Sequence, residues 1–219
     1  MMKKHAIIPV RDFANTKVRL QKVLSESERA ELTGAMLDIV LHAFELSNTD
    51  DVTVVATEPA EVQSKSSRFK KLKILREREW RGSVNRAYEL GIDSISSSNS
   101  EPFLLLLVPS DLPFISAESV NRAIELSHSV DVVMNPSRKK DGTNLLLMKS
   151  NNIIPLHYDD NSYYRHLEEA SEAKLKVLVV QEDSFSVDVD DEEDLRLLKS
   201  ALGVSTFRNL IEKLKDSSK

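Results

Sequence analysis

The residues most suited to chemistry are carboxylates that follow short apolar segments. Asp111 follows Phe103–Val108, an uninterrupted apolar run, and lies between Pro109 and Pro113. Asp188 lies in a second acidic segment, Phe185–Leu195. Hard cations such as Mg²⁺ prefer oxygen ligands, so two such acids brought together would form a metal site suited to phosphoryl or nucleotidyl transfer. The alternative for Asp111 is a turn-forming or helix-capping role.

The acids of the second segment have different expected roles. Asp190 stands three residues before Glu193 and just ahead of a helical pattern, which predicts a helix N-cap rather than a ligand. The acids at 191–194 are expected to favour the positive end of the helix dipole. Asp188 has no capping role, so we predict that it is the ligand.

A basic loop follows the first apolar segment. The chain has a net charge of −5, yet residues 1–22 contain six Lys or Arg and one acid. Arg11, Lys17 and Arg19 of this loop are candidates for binding phosphate; the alternative is a solvated loop. A second basic run, Lys65–Arg81, has the alternating pattern of an edge strand guarded by lysines. With the acidic balance of the chain, it does not indicate a nucleic-acid binder.

Two further segments could bind an anion. Thr143 and Asn144 follow Gly142. Gly142 is either a turn residue or a residue whose backbone amide donates to a ligand. Ser162 is expected at a helix start with Arg165 in the first turn, where a cation opposes the helix dipole unless it faces a ligand.

Apolar periodicity predicts strands alternating with helices, which implies βαβ units and a mostly parallel sheet covered on both faces. Leu145–Met148 is expected to run antiparallel. The predicted strands are His5–Val10, Val52–Ala56, Leu72–Leu75, Phe103–Val108, Val130–Met134, Leu145–Met148 and Leu175–Val180. The first predicted helix begins after Ser25. The other predicted helices are Ser83–Ile95, Ser116–Ser127, Ser162–Ala173, Asp191–Leu202 and Thr206–Lys215. The serine-rich Ser94–Ser100 is predicted to be a surface loop.

Several classes of protein are excluded by what the chain lacks. It contains no cysteine, which excludes disulfides and thiolate catalysis and fits a reducing cytoplasm. Its five glycines form neither GxGxxG nor a P-loop, no GxSxG motif is present, and no histidines are spaced i, i+4. No apolar run is long enough for a signal peptide or a membrane span.

The ordered motifs of the chain resemble those of the 2-phospho-L-lactate guanylyltransferase family of coenzyme F(420) biosynthesis. These motifs are IIPVR followed by KVRL, then ATE, RGSVNRA, LVPSDLP, DGTNLLL, SYYRH and VDVDDEEDL. The resemblance covers Ala6 to Leu202. SDLP and DVD…EDL are shared with wider nucleotidyltransferases, whereas GTN followed by S-x-x-R-H is more particular to the family.

The resemblance implies a three-layer Rossmann-like fold of the nucleotide-diphospho-sugar transferase type, mostly parallel with one or more antiparallel strands. A single domain at 1–203 with a helical extension at 204–219 is expected. The implied reaction joins GTP and (2S)-2-phospholactate to give lactyl-2-diphospho-5′-guanosine and pyrophosphate. A cytoplasmic homodimer that passes its product to a downstream transferase, with no nucleic-acid or membrane partner, is also implied.

The resemblance assigns roles to individual residues. Mg²⁺ would be held by Asp111 and Asp188, and Asp111, Lys17 and Arg19 would be catalytic. The GTP side would be formed by Arg11, Thr57 and Asn85, and the acceptor side by Thr143, Asn144, Ser162 and Arg165.

This chain departs from the family at one place, since glycines usually precede the serine in an F-G-x-G-S pattern. Here the residues are Tyr158, Asp159, Asp160, Asn161 and Ser162. The acceptor therefore stays open among phospholactate, phosphoenolpyruvate and another phosphorylated acid. Two other interpretations are a molybdenum-cofactor-type guanylyltransferase, whose glycine-rich stretch is absent from residues 9–19, and a non-catalytic nucleotide-binding protein.

Overall fold

A computed structural model describes residues 2–77 and 83–202. The predicted helix Thr206–Lys215 and the extension at 204–219 lie outside these residues, so the domain boundary at 203 stays a prediction. The strands are β1 (Lys3–Val10), β2 (Asp51–Ala56), β3 (Leu72–Arg76), β4 (Phe103–Leu107), β5 (Val132–Pro136), β6 (Thr143–Lys149) and β7 (Val177–Val179). The helices are α1 (Glu26–Leu46), α2 (Pro59–Gln63), α3 (Val84–Ser98), α4 (Ala117–Leu126), α5 (Ser162–Glu172), α6 (Asp183–Ser186) and α7 (Glu192–Leu202).

The described strands form one sheet in the order β3-β2-β1-β4-β6-β5-β7. The pairs among β1, β2, β3 and β4 are parallel, as is the pair of β5 with β7. β6 is antiparallel to both of its neighbours, β4 and β5, which confirms the predicted antiparallel strand. β3 lies at one edge of the sheet, as the lysine-rich pattern of its segment predicts.

Helices cover both faces of the sheet, because the strands are apolar on both sides. On one face Ile8 and Leu106 pack with residues of α1 and α4, including Phe44. On the other face Ile7 and Leu105 pack with α3 and α5. A smaller cluster joins α7 to the first half of α1. These layers hold the strand ends, and thus the loops that leave them, in a fixed arrangement.

Short polar motifs mark the starts of two helices, α1 and α4. Ser25 and Glu28 form the predicted capping box of α1, with Ser25 Oγ accepting from the Glu28 amide and Glu28 Oε2 accepting from the Ser25 amide. Ser116 and Ser119 form the same arrangement at α4. The N-terminal caps of α1 and α4 therefore follow from short polar motifs in the sequence.

Four local predictions were incomplete or wrong. The serine-rich loop is wrong because α3 continues through Ser98; the hydroxyls of Ser97 and Ser98 donate to the Ser94 carbonyl, and Ile95 is buried. The short helices α2 and α6 were not predicted, and the basic loop contains two 3-10 turns, Phe13–Asn15 and Val18–Leu20. β5 and β7 each begin two residues later than predicted. No helix among the described residues is sufficiently long and apolar to span a membrane.

Candidate active site

The predicted site lies where the chain changes direction across the sheet. From β1 the chain runs outward on one side of the sheet through β2 and β3. It then crosses to the other side of β1, where β4 pairs with it. In open α/β sheets this switch opens a crevice at the carboxyl ends of the strands, where ligands bind. The basic loop leaves β1 at this crevice and Asp111 follows β4 there, so the topology brings together two segments that are far apart in sequence.

Lys17 is held in the crevice by the loop that carries it. The Thr16 hydroxyl lies 2.7 Å from that of Thr33 on α1, and Arg29 Nε donates to the Thr16 carbonyl at 3.2 Å. Lys17 itself has a left-handed backbone, with φ of 51°. This conformation is uncommon for a lysine, and the contacts to α1 on its N-terminal side stabilise it.

The Lys17 ammonium bridges two carboxylates. Its Nζ donates to Asp111 Oδ2 and, at 2.8 Å, to Asp190 Oδ1, and only 8% of its side chain is exposed. Burial alone would lower the pKa of Lys17, but Asp111 and Asp190 outweigh it and raise the pKa above its ordinary value. Lys17 also lowers the pKa of the Asp190 carboxyl, the largest effect on that group. Lys17 is therefore a fixed positive charge.

Asp188 is the carboxylate that this lysine does not contact. Burial, followed by the charges of Asp111 and Asp190, raises the pKa of Asp188 to about 6, against an ordinary 3.8. The described partner of its side chain is Asn144, whose Nδ2 donates to Oδ1 at 3.2 Å. The Lys17 ammonium thus serves Asp111 and Asp190, and the negative charge of Asp188 is left without a contact to it.

This arrangement fits a divalent cation. Asp111 Oδ1 is buried and has no hydrogen-bond partner among the described residues, and Asp188 is short of a neutralising charge. Among the described residues, no group of three or more His, Asp or Glu side chains is arranged to hold a metal ion. Mg²⁺ is commonly bound through one or two carboxylates, with substrate phosphates and waters as its other ligands. Asp111 and Asp188 could therefore hold it together with a bound nucleotide.

A second cluster, of hydroxyls and a histidine, joins the start of β6 to α5. Thr143 is the first residue of β6, and its Oγ1 accepts from Ser162 Oγ at 3.2 Å. The same Oγ1 lies 3.0 Å from Nδ1 of His166, while Nε2 of His166 accepts from the backbone N–H of His157 at 2.9 Å. Ser162 and His166 are four residues apart in α5, so they lie on the same buried face of this helix.

The loop before α5 takes a defined conformation although it lacks the glycines that the resemblance led us to expect. Asn161 takes the left-handed conformation, with φ of 45°, which asparagine adopts more readily than most residues. The Asp159 carboxylate accepts from Asn85 Nδ2 at 2.7 Å and from Ser83 Oγ at 3.1 Å. Asn85 Oδ1 in turn accepts from the Tyr158 amide at 2.7 Å. Asp159 is therefore tied to the start of α3, which satisfies much of its hydrogen-bonding capacity.

The structure also locates the other predicted residues. Arg11, Arg19 and Arg165 have exposed side chains. Thr57 follows β2, and its amide donates to the Val10 carbonyl. Its Oγ1 is buried and finds no hydrogen-bond partner in the part of the chain that the structure describes. The contacts of Asn85 are with the loop before α5, so its predicted place on the GTP side stays a prediction.

Two predictions about turns and caps are settled. The prediction that Asp190 caps α7 is wrong, because Asp191 Oδ1 accepts from the amides of Glu193 and Asp194 and Asp190 binds Lys17 instead. The amide of Gly142 donates to Ser137 Oγ, which supports its interpretation as a turn residue.

Three residues that support the site were not predicted from the sequence. His166 was given no role, although its spacing of four from Ser162 on a helix was a usable signal. Asp194 is buried and accepts from the amides of Asp190 and Asp191, and Arg138 donates to it from the turn before β6. No local signal marks this last contact, because it joins residues 56 positions apart.

Comparison with known proteins begins with the fold. A solved structure from Desulfovibrio desulfuricans G20, described as a nucleotide-diphospho-sugar transferase, superposes with a TM-score of 0.77 over 99% of this chain and 97% of its own, at 17% identity. At this identity the likeness shows the fold alone. The chain thus has the nucleotide-diphospho-sugar transferase fold, a mixed α/β sheet in which one described strand is antiparallel to its neighbours.

Comparison of sequences then gives the family. The family model described as "Guanylyl transferase CofC like" matches residues 4–211. The 2-phospho-L-lactate guanylyltransferase of Methanocaldococcus vulcanius is 35% identical over 189 residues, which are 86% of this chain and 81% of that protein. The phosphoenolpyruvate guanylyltransferase of Rubrobacter xylanophilus is 29% identical over 204 residues, 93% of this chain and 97% of that protein. The chain belongs to the CofC-like guanylyl transferase family and is a nucleotidyltransferase.

Proposed function

We propose that this chain joins GTP and (2S)-2-phospholactate to give lactyl-2-diphospho-5′-guanosine and pyrophosphate, as in coenzyme F(420) biosynthesis. A single observation carries the proposal: the first two residues of β6 connect the two clusters of the site. Asn144 donates to Asp188 of the carboxylate cluster, and Thr143 contacts Ser162 of the hydroxyl cluster. A metal-bound nucleotide and an anionic acceptor would therefore lie next to each other.

In the proposed reaction an oxygen of the acceptor's phosphate attacks the α-phosphorus of GTP. A new P–O bond forms, the bond from the α-phosphorus to the oxygen bridging to the β-phosphate breaks, and pyrophosphate leaves with that electron pair. The cations of the basic loop, Arg11, Lys17 and Arg19, would neutralise the triphosphate and the departing pyrophosphate. Positioning and charge neutralisation would supply most of the rate, because such transfers require little covalent help from protein.

Mg²⁺ is proposed as the metal of the site, held by Asp111 and Asp188. When bound, such an ion stabilises the negative charge that develops on phosphate oxygens. Asn144 would orient Asp188 through its hydrogen bond. Lys17 would keep Asp111 and Asp190 in place from the opposite side.

The acceptor is proposed to bind between β6 and the start of α5. Thr143 and Ser162 would contact its phosphate or carboxylate there, and the N-terminal amides of α5 favour an anion. The side chain of the N-cap residue, Asn161, forms no capping hydrogen bond to these amides. Arg165, exposed in the first turn, would add positive charge.

Phosphoenolpyruvate is the second candidate acceptor. The observation that favours it is the relative from Rubrobacter xylanophilus, which carries that acid in its name and matches almost the whole chain. Phospholactate and phosphoenolpyruvate both carry a phosphate and a carboxylate on C2, so the same hydroxyl cluster suits both. They differ at C2, which is tetrahedral in the first and planar in the second.

The proposal is tested by measuring pyrophosphate release for every pairing of GTP, ATP and CTP with phospholactate, phosphoenolpyruvate and 3-phosphoglycerate. We expect release with GTP and phospholactate, and Asp111→Asn should lower it by about 100-fold or more. Asp93→Asn is the matched control, since Asp93 is exposed in the C-terminal half of α3. Release with phosphoenolpyruvate alone would change the acceptor, and no release with any pair would refute the proposal.

The same resemblance supports a cytoplasmic homodimer that hands its product to a downstream transferase. The absence of cysteine is in keeping with a reducing compartment. Light scattering on purified protein should give twice the chain mass of 24.7 kDa; the mass of a single chain would contradict the dimer.

A further inference from the structure

His166 is a buried histidine next to the proposed acceptor site that the proposed function does not use. Its ring is fully buried, and it is held on three sides. Nδ1 lies 3.0 Å from Thr143 Oγ1, Nε2 accepts from the His157 amide at 2.9 Å, and the Tyr158 ring packs edge-on against it at 4.9 Å.

These contacts determine which ring nitrogen carries the proton. A backbone N–H can only donate, so Nε2, which receives the His157 amide, must be an unprotonated acceptor. The proton of a neutral imidazole then resides on Nδ1, and Nδ1–H donates to Thr143 Oγ1. Burial, followed by the charge of His157, lowers the pKa of His166 to about 4, in agreement with a neutral ring.

The direction of this bond determines what the Thr143 hydroxyl can do. Its oxygen has two lone pairs, and it accepts one hydrogen bond from His166 and one from Ser162. With both lone pairs occupied, the hydroxyl can form a further hydrogen bond only by donating its own proton. A phosphate or carboxylate oxygen accepts such a proton, whereas a neutral donor group would be rejected.

We propose that His166 is a positioning residue that makes the Thr143 hydroxyl an obligate donor to an oxyanion of the acceptor. This inference rests on the acceptor site proposed above. His166 would act through Thr143 without touching the acceptor, and the His157 amide would fix its tautomer. The site would thereby select acids that present an oxyanion at this position.

Two substitutions separate the two halves of this arrangement. In His166→Asn the side-chain amide replaces Nδ1–H, so the donor to Thr143 is retained. In His166→Gln the longer side chain reaches the position of Nε2 and retains the acceptor for His157, but the donor is lost. We expect the Gln variant to raise the KM for phospholactate about tenfold, roughly the value of one hydrogen bond, with the KM for GTP unchanged. The Asn variant should stay within about threefold of the wild-type KM.

Thr143→Val, alone and combined with His166→Gln, completes the test. We expect Thr143→Val to raise the KM for the acid that is turned over, and the double variant to show no further loss, because His166 then has no hydroxyl to orient. Additive losses, or equal losses in the Asn and Gln variants for both substrates, would mean that His166 only fills space and would overturn the inference. If Thr143→Val left the KM unchanged, the acceptor site and the inference would both be wrong, whereas a raised KM with a normal Gln variant would overturn the inference alone.

A measurement on the wild-type protein avoids any problem of folding. Long-range ¹H–¹⁵N correlation spectra of the histidine rings should show a neutral His166 protonated at Nδ1 between about pH 6 and 8. A ring protonated at Nε2, or a charged ring, would contradict the inference.

Discussion

Asp188 offers a prediction in which removing a functional carboxylate makes the protein more stable. Burial and the charges of Asp111 and Asp190 raise its pKa from 3.8 to about 6. A pKa shift of one unit corresponds to about 1.4 kcal/mol. The shift of Asp188 therefore means that its ionised side chain lowers the free energy of unfolding by up to about 3 kcal/mol at pH 8. Because Asp188 retains some exposure, we expect Asp188→Asn to raise the free energy of unfolding of the metal-free protein by about 1–3 kcal/mol.

The pH dependence follows from the same shift. The folded protein binds the Asp188 proton more tightly than the unfolded chain, so stability falls as pH rises through the window from about 4 to 6. The advantage of the Asn variant should therefore be present at pH 8 and small at pH 4.5. The hydrogen bond from Asn144 survives, because the new amide oxygen accepts it.

The assay is urea unfolding at both pH values, in EDTA and then in Mg²⁺, with Asp160→Asn as the control for an exposed aspartate. We expect Mg²⁺ to stabilise the wild-type protein and to have much less effect on Asp188→Asn, which should also lose turnover. If the Asn variant were equally or less stable than the wild type at pH 8 in EDTA, the reasoning about shared charge would be refuted.

Three further predictions concern other parts of the chain. Lys17→Met leaves Asp111 without its ammonium, so we expect a loss of about 3 kcal/mol at pH 8 in urea unfolding, less at pH 5, and partial recovery in Mg²⁺; an unchanged stability would contradict the bridge. Gly91→Ala places a Cβ 2.7 Å from Ile7 Cγ2 and should lower the melting temperature, because overpacking of about 1–3 kcal/mol exceeds the helix-propensity gain of about 1. Gly34→Ala, with its nearest contact at 3.4 Å, should raise the melting temperature instead, and equal shifts would count against the packing argument. Asn161→Gly should preserve stability and the KM for the acceptor, whereas Asn161→Val should cost about 1–2 kcal/mol, because a β-branched residue opposes the left-handed conformation.

The sheet could be predicted from sequence because its strands are short apolar runs that alternate with longer helical patterns. The alternation identified the strands of the sheet, and the pattern around Leu145 predicted the antiparallel strand. The same reasoning failed at Ser94–Ser98, where serine hydroxyls bond back to a helical carbonyl and let a polar segment remain helical. Composition favoured a loop there, but the burial of Ile95 on the sheet decided the outcome.

Within the site, the sequence indicated which groups would carry charge but not how they pair. Asp111 follows the end of β4, which a single sequence can show, whereas Asp188 follows the short helix α6 and not a strand. The hydrogen bond from Lys17 to Asp190 joins residues 173 positions apart. Because Asp190 binds this lysine, the capping of α7 falls to Asp191. The proton arrangement around His166 likewise depends on a backbone amide from another loop. Such pairings follow from tertiary structure.

The central claim is that the acceptor's phosphate takes the guanylyl group from GTP. It is tested most directly by a single turnover with GTP labelled at the α-phosphorus or, separately, at the γ-phosphorus, with phospholactate in excess. We expect the α label in the acceptor product and the γ label in pyrophosphate. A γ label in the acceptor product, or release of free GMP with no labelled acceptor, would contradict the account.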